Sequence, residues 1–315
     1  MSGSCTKSLL REDMSKSPEK IVQDAFDAHL AARMVVDTQP VAKLWQAVDF
    51  EYFQHLPSTS QYLKEQLNST LSDGRSRVCI AARQTAGVGR RGRAWYSSEN
   101  CITFSMLATL DIPAASLGGL SLASGVAVAE SLNTLCESSQ ANLTVKWPND
   151  VLAGSAKLCG ILTEIPASSA ERTTVITGIG VNYVSDLALR GKVDRELAAL
   201  QDFASPADQA SAPLPAREGV IGQLAADVLI AHQQFADSGW QAFAERFSKL
   251  DALADKPVSV SQDASIQEGI AVGVAADGRL KVDIGGAVHC FAAGEVTLKP
   301  PMPGQIALRP AGKSA

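Results

Sequence analysis

Three stretches of this 315-residue chain combine residue types that suit an anionic ligand. TAGVGRRGRAW, residues 85–95, sets Gly87, Gly89 and Gly92 among Arg90, Arg91 and Arg93 and ends on Trp95. Bare glycine backbone lets N–H groups approach an anion, and guanidinium forks pair with phosphate or carboxylate oxygens. KWPNDV, residues 146–151, places Asn149 and Asp150 at a polar tip after Pro148, which withdraws a ladder donor and ends the strand before it. Lys157 follows seven positions after Asp150, inside the apolar run KLCGILTE. A strand lysine in that setting is either an edge residue reaching for water or a charge kept for an anion. Asp150 beside a phosphate would either hold Mg2+ or take a proton. GIGVN, residues 178–182, ends a further strand on two close-approach glycines and one amide, Asn182.

Gly87, Gly89 and Gly92 also spell the G-x-G-x-x-G of dinucleotide-binding turns, a reading that the flanking sequence rejects. That fingerprint works only where a strand leads into a helix whose N-terminus holds the pyrophosphate. The strand is predicted at 77–85, but only eight residues, RAWYSSEN, separate Gly92 from the next strand at 101. A crossover helix needs about ten to twelve. The loop therefore runs from strand to strand, and its arginines are the informative letters. Trp95 either stacks on a planar ring or anchors the loop in the core.

These groups need a frame to hold them. Ser58-Thr59-Ser60 reads as the cap of a helix over QYLKEQLNSTL, closed by Gly74. Strands are predicted over 77–85, 101–110, 143–147, 157–165 and 173–183. The small-residue apolar run 116–137 reads as a helix buried against them, and two more helices fall at 219–236 and 240–250. Residues 1–20 read as a tail, 20–47 as a helix and connection, and 185–217 as loop. From about 255 the pattern changes to short alternating runs with turns at Asp277-Gly278 and Gly285-Gly286. The whole reads as an α+β body followed by a small all-β module.

Composition narrows the function classes. With 46% hydrophobic and 19% charged residues the chain can bury a sizeable core. A formal charge of −5 argues against a broad nucleic-acid footprint, so a local basic loop is the more informative. The six cysteines are scattered without a C-x-x-C, and Cys79, Cys101 and Cys159 sit in apolar runs as reduced, buried thiols would. The four histidines have no metal-ligand spacing, so no tightly bound metal is expected. The N-terminal twenty residues lack the apolar core of a signal peptide. The longest low-charge stretch, 101–129, is interrupted by Asp111 and Pro113, which is unlike a membrane span. A cytoplasmic protein is expected.

Taken together, STSQYL (58–63), QTAGVGRRGRAW (84–95), KWPNDV (146–151), KLCGIL (157–162), GIGVN (178–182) and AGEVTL (293–298) resemble the biotin protein ligases, in the order that family has them. The resemblance runs from about Ser58 to Lys299. It implies a class II synthetase-like mixed sheet with flanking helices and a C-terminal SH3-like β-barrel. The implied divisions are an N-terminal extension at 1–45, a catalytic domain at 46–254, the barrel at 255–302 and a tail at 303–315. The implied activity uses ATP to convert biotin to biotinyl-5′-AMP. It then transfers the biotinyl group to a lysine of a biotin carboxyl carrier domain.

By the same resemblance Arg90, Lys157 and Asp150 are the catalytic candidates. Ser58, Thr59, Ser60, Gln84, Gly87, Val88, Gly89, Arg90, Lys157 and Gly160 would line the biotin site. Arg90, Arg91, Arg93, Trp95, Asn149, Asp150 and Asn182 would meet the adenylate, with Mg2+ arriving on ATP near Asp150. The acceptor amine must arrive deprotonated, and Asp150 is the candidate to assist. Two departures stand out: the family's GRGRRGR reads GVGRRGR, with Val88 for an arginine, and its STN reads Ser58-Thr59-Ser60. A lipoate-type ligase is the nearest rival, and a biotin-responsive DNA-binding repressor the next. The acidic charge, and only 57 residues before Ser58 with no evident recognition helix, speak against the latter. A homodimer through exposed strand edges is compatible with such a sheet.

Overall fold

The computed structural model describes residues 16–36, 48–68, 74–136, 142–186, 191–193, 196–204, 214–262 and 265–299. In chain order these form α1 (Pro18–Val36), β1 (Val48–Leu56), α2 (Thr59–Glu65), β2 (Ser76–Gln84), β3 (Gly87–Val88), β4 (Ala94–Trp95) and β5 (Cys101–Leu110). There follow α3 (Leu120–Leu135), β6 (Leu143–Lys146), β7 (Asp150–Ala153), β8 (Ala156–Ser168), β9 (Thr173–Asn182), α4 (Gln201–Ala204), α5 (Arg217–Ser238) and α6 (Gln241–Leu250). The strands β10 (Pro257–Gln262), β11 (Ser265–Val274), β12 (Leu280–Ile284), β13 (Ala287–Phe291) and β14 (Glu295–Leu298) complete the described chain. Two compact units part at Ala252/Leu253, and the turn Ala276–Gly278 belongs with the larger one.

The larger unit is built on a seven-stranded mixed sheet in the order β1-β2-β5-β9-β8-β7-β6, in which only β1 and β2 run parallel. Successive side chains of a strand point to opposite faces. One face carries Ile80, Phe104, Met106, Ile179 and Val181, all buried, under α3 and α5. On the other, Leu63 of α2 packs into Cys79, Leu107 and Ile176. Two residues further along β5 and β9 that second face turns small: Ser105, Gly178 and Gly180, with Gly160 paired opposite Gly180. The sequence thus buries apolar bulk at one end of the face and leaves a shallow trough beside α2.

α1 docks on α5 at Gly222, where an added Cβ would lie 2.6 Å from Val22 O and 2.8 Å from Phe26 N. Phe26 of α1 meets Phe50 of β1 edge-on at 5.2 Å. Arg217 fixes the start of α5 by donating from Nε and Nη2 to Cys101 O, from Nη2 to Ala81 O, and from Nη1 to the Tyr52 hydroxyl. Four carbonyl and hydroxyl acceptors on three strands are thereby tied to one guanidinium by five hydrogen bonds, counting Ala82 O at 3.4 Å. No helix among the described residues is long and apolar enough to cross a membrane.

Several boundaries differ from the sequence expectation. The capped helix begins at Thr59, with Ser58 Oγ accepting from Gln61 N, and its first segment ends at Glu65; Gln66 is a turn, Leu67 and Asn68 are helical again, and residues 69–73 lie outside the described ones. The helix expected from 116 starts at Leu120, since Gly119 adopts φ 92° and Ala114–Ser116 forms a separate turn. Helix α1 starts at Pro18, inside the expected tail, and residues 1–15 lie outside the described ones. Strand β1 was not anticipated: its acidic and aromatic residues alternate, but its partner β2 lies across a long parallel connection. Asp150 opens strand β7 instead of sitting at a turn tip; the tip is Trp147–Asn149, with a cis peptide between Trp147 and Pro148.

The smaller unit is a five-stranded antiparallel sheet in the order β13-β12-β11-β10-β14. Val258, Val260, Ala271, Leu280, Val282 and Val296 form its buried interior. The Gly285-Gly286 hairpin has both glycines at positive φ, and Gly286 N donates to Asp283 Oδ1 at 2.8 Å.

Candidate functional site

The glycine-arginine stretch folds as a small hairpin rising from the end of β2. Gly87 pairs with Trp95 and Val88 with Ala94. Its base is clasped by Ser97, whose Oγ accepts from Gln84 N at 2.7 Å and donates to Gln84 O at 3.1 Å. At Gly87 a Cβ would lie 2.6 Å from Trp95 O, so only glycine permits this pairing distance. The tip is a single turn over Arg90–Gly92 with Arg91 at φ 56° and Gly92 at φ 72°, and Gly89 N closes it onto Arg93 O at 2.7 Å. Val88 stands 53% exposed near this tip.

Trp95 lies down into the trough. A Cβ on Gly180 would collide with the indole at Cζ2 and Cε2, and one on Gly160 would lie 3.0 Å from Cζ3. The two glycines are therefore what admits a flat ring to this part of the sheet. The indole Nε1 is buried without a hydrogen-bond partner among the described residues. A buried unsatisfied donor is costly, and a ligand acceptor would relieve it.

Lys157 meets the same ring from β8. Its Nζ is 5.6 Å from the indole centroid and 2.5 Å from Asp150 Oδ1, and only 9% of the residue is exposed. The backbone of Lys157 is held just as firmly: its N–H donates to Glu196 O, and its carbonyl accepts from Ala198 N and from Asn182 Nδ2. Asn182 Nδ2 also donates to Ala198 O, so both its amide protons are used in pinning these two segments together. Arg90 Nη1 donates to Asn149 Oδ1 at 3.3 Å, and Asn149 Nδ2 donates to Ile161 O at 2.7 Å. Arg90, Asn149, Asp150, Lys157, Gly160 and Trp95, taken from three separate sequence motifs, thus converge on one end of the trough.

At the other end lies a neutral, hydroxyl-lined cluster. Gln84 Oε1 accepts from Thr59 N at 2.7 Å and from Thr59 Oγ1 at 3.1 Å. Ser105 Oγ sits 2.6 Å from Thr59 Oγ1 and 2.9 Å from Ser60 Oγ. Ser58 is taken up by capping α2, and Thr59 by Gln84, so of the three hydroxyls in this helix start Ser60 is the one left half-exposed. Ser105 was missed from the sequence; its signal is a serine among the apolar residues Phe104, Met106 and Leu107 of the strand. Arg91 and Arg93 are exposed on the hairpin tip. No group of three or more His, Cys, Asp or Glu able to hold a metal occurs among the described residues.

The cysteines enter none of this. Burial pushes the Cys79, Cys101 and Cys159 thiols well up from their ordinary value, and Cys136 to about 11, which keeps them protonated and unreactive.

A trough with a polar neutral end and a cationic end, roofed by an arginine hairpin, suits an acid carrying a polar ring that is joined to a phosphate. Comparisons with known proteins agree. Residues 52–182 match the model of the biotin/lipoate A/B protein ligase family. The bifunctional ligase/repressor BirA of Escherichia coli K12 is 30% identical over 245 residues, spanning 78% of this chain and 72% of that protein. The biotin–[acetyl-CoA-carboxylase] ligase of Mycobacterium tuberculosis is 31% identical over 221 residues, spanning 70% of this chain and 77% of that one.

The chain belongs to the biotin protein ligase family.

The fold agrees with that membership. The biotin protein ligase of Aquifex aeolicus, solved with biotin and ATP, superposes with a TM-score of 0.62 over 80% of this chain and 99% of its own, at 22% identity. As a biotin protein ligase family member, the chain carries the family's ligase chemistry on the mixed sheet.

Proposed function

We propose that this protein activates biotin with ATP to biotinyl-5′-AMP and then transfers the biotinyl group to a lysine of a biotin carboxyl carrier domain. The observation that carries the reading is Lys157, a buried cation held against Asp150 and the Trp95 ring on a glycine-lined face. In the first step the biotin carboxylate attacks the α-phosphorus of ATP, a P–O bond forms, and pyrophosphate leaves with the electron pair. Several negative charges meet there, and fixed cations stabilise them best in a site already stripped of water. Lys157 and Arg90 take that role, with Arg90 oriented by Asn149. Trp95 lies against the adenylate, and Arg91 and Arg93 close the hairpin tip over it.

In the second step the carrier lysine amine attacks the carbonyl of the mixed anhydride, AMP leaves, and the amine gives up a proton. Asp150 receives it, its carboxylate held in place by the hydrogen bond from Lys157 Nζ. The donor set around the phosphates offers one carboxylate, already engaged by Lys157, so it does not form a protein cage for Mg2+. Mg2+ would arrive on ATP and would screen the phosphates, and Asp150 would be the carboxylate available to hold it.

The test is to incubate the protein with biotin, MgATP and an isolated biotin-carrier domain. The expected result is a mass gain on the carrier and biotin-dependent pyrophosphate release, both reduced about 10²–10³-fold by Lys157→Met. No gain and no release from the unaltered protein would overturn the assignment. Lipoate supplied in place of biotin should not be adenylated at a comparable rate.

A further inference from the structure

The hydroxyl cluster at the neutral end of the trough has a direction that the donor count imposes. A backbone N–H only donates, so the Gln84 atom 2.7 Å from Thr59 N is the amide oxygen. That oxygen only accepts, so the Thr59 hydroxyl, 3.1 Å away, spends its one proton on it. Ser105, 2.6 Å from Thr59 Oγ1, must then donate to Thr59. With the Ser105 proton used, Ser60, at 2.9 Å, must donate to Ser105. The protons run one way: Ser60 to Ser105 to Thr59 to Gln84.

The consequence is read at the two ends. Ser60 has no proton left and faces the trough as an acceptor only. Gln84 has its oxygen turned inward, and Nε2, which has no partner among the described residues, faces the trough as a donor only, against the bare backbone of Gly87. A Cβ on Gly178 would lie 2.9 Å from Ser60 Oγ, so the bare Gly178 leaves that acceptor room.

We infer that Ser105 is a positioning residue that, through this chain of protons, makes the site present one acceptor (Ser60) and one donor (Gln84), the complement of a cyclic urea's N–H and C=O. The inference rests on the biotin reading and adds the device that selects the ureido ring. A dithiolane ring offers neither an N–H nor a C=O, and would leave both groups unpaired, which is the strongest form of polar discrimination. It also accounts for a serine at position 60. A carboxamide there would bring donors as well as an acceptor, whereas a hydroxyl coupled to Ser105 brings the acceptor alone.

The experiment compares the unaltered protein with Ser105→Ala, Ser60→Ala, the double variant and Ser105→Cys, titrating biotin and ATP separately in the pyrophosphate-release assay. Ser105→Ala should raise the KM for biotin about tenfold while the KM for ATP and kcat stay within twofold. Ser60→Ala should match it, and the double variant should be no worse than Ser60→Ala within twofold, since Ser105 acts through Ser60. Ser105→Cys keeps the volume, weakens the donor, and should move the biotin KM in the same direction if the alanine variant folds poorly. The inference is overturned by an unchanged biotin KM in either Ser105 variant. An equal rise in the ATP KM, or multiplying losses in the double variant, overturns it too. Turnover of lipoate and not biotin by the unaltered protein would instead bring down the underlying functional reading.

Discussion

His232 makes a stability prediction that can be worked through to a number. It sits in α5 with no exposed surface, Nε2 3.2 Å from Ser124 Oγ and 3.3 Å from Thr177 Oγ1, and Nδ1 buried without a hydrogen-bond partner among the described residues. Burial alone disfavours the imidazolium and pulls its pKa from the ordinary 6.5 to about 4. Between those two values the unfolded chain binds a proton that the folded chain refuses, so stability falls as pH is lowered from about 6.5 to about 4 and is constant above that window. Two and a half pH units at about 1.4 kcal/mol each give roughly 3 kcal/mol lost by pH 4. At this chain length that is a Tm decrease of about 5 °C. Thermal melts from pH 8 to 4.5 should be flat down to about 6.5 and then decline. His232→Gln, starting from a lower plateau, should lose that slope. The carboxylates add their own loss at lower pH: Asp49, held below its usual range by Arg75, contributes as pH falls through 3.8 and beneath. A wild-type melting curve that is flat from pH 7 to 4.5, or an unchanged slope in the Gln variant, would refute the reasoning.

Two further substitutions probe the trough. Gly180→Ala places a methyl in the space of the Trp95 indole without backbone strain, since Gly180 is not among the positive-φ glycines. The ring must lift off the face, at an overpacking cost of about 1–3 kcal/mol in stability. Biotin-dependent pyrophosphate release should fall at least tenfold, with a shift in tryptophan emission; unchanged activity would show that the ring does not work against the glycine face. Val88→Arg restores the arginine that the family pattern has at an exposed position, so stability should stay within about 0.5 kcal/mol. Release of biotinyl-5′-AMP, followed in a chase experiment, should slow about two- to fivefold, the worth of one solvent-exposed charge contact. Equal release rates would place position 88 outside the closing surface.

Much of the site could be read from the residues in order. GVGRRGR announced an anion loop because glycine and arginine carry their chemistry with them wherever the chain runs. The failure of its G-x-G-x-x-G as a dinucleotide turn followed from a residue count to the next strand. The Ser58 cap, the buried strands at 101–110 and 173–182, and the turns at Gly278 and Gly286 likewise rest on local rules of capping, alternation and positive φ. Strand β1 escaped because its pairing with β2 is parallel and non-local, and its own residues, with Asp49 and Glu51 set among Phe50, Tyr52 and Phe53, do not commit to a buried strand. The break after Glu65 escaped because the helix pattern runs through it in the sequence, while the backbone makes a turn at Gln66 before Leu67.

What the tertiary structure alone decided is which groups meet. Lys157 and Asp150 are seven residues apart, but their pairing depends on a register shift between β7 and β8 that no spacing rule encodes. Trp95 rests on Gly160 and Gly180 only because β8 and β9 align those two glycines opposite one another. Asn182, expected to face a nucleotide, spends both amide protons holding the Lys157 and Ala198 carbonyls. The run of protons from Ser60 to Gln84 crosses α2, β5 and β2, elements separated by up to 46 residues. Residue types determine what chemistry a chain can offer, because donors, acceptors and charges belong to side chains. Register and packing determine which of them share a proton, because a hydrogen bond lives within a few ångströms and the sequence does not state distance.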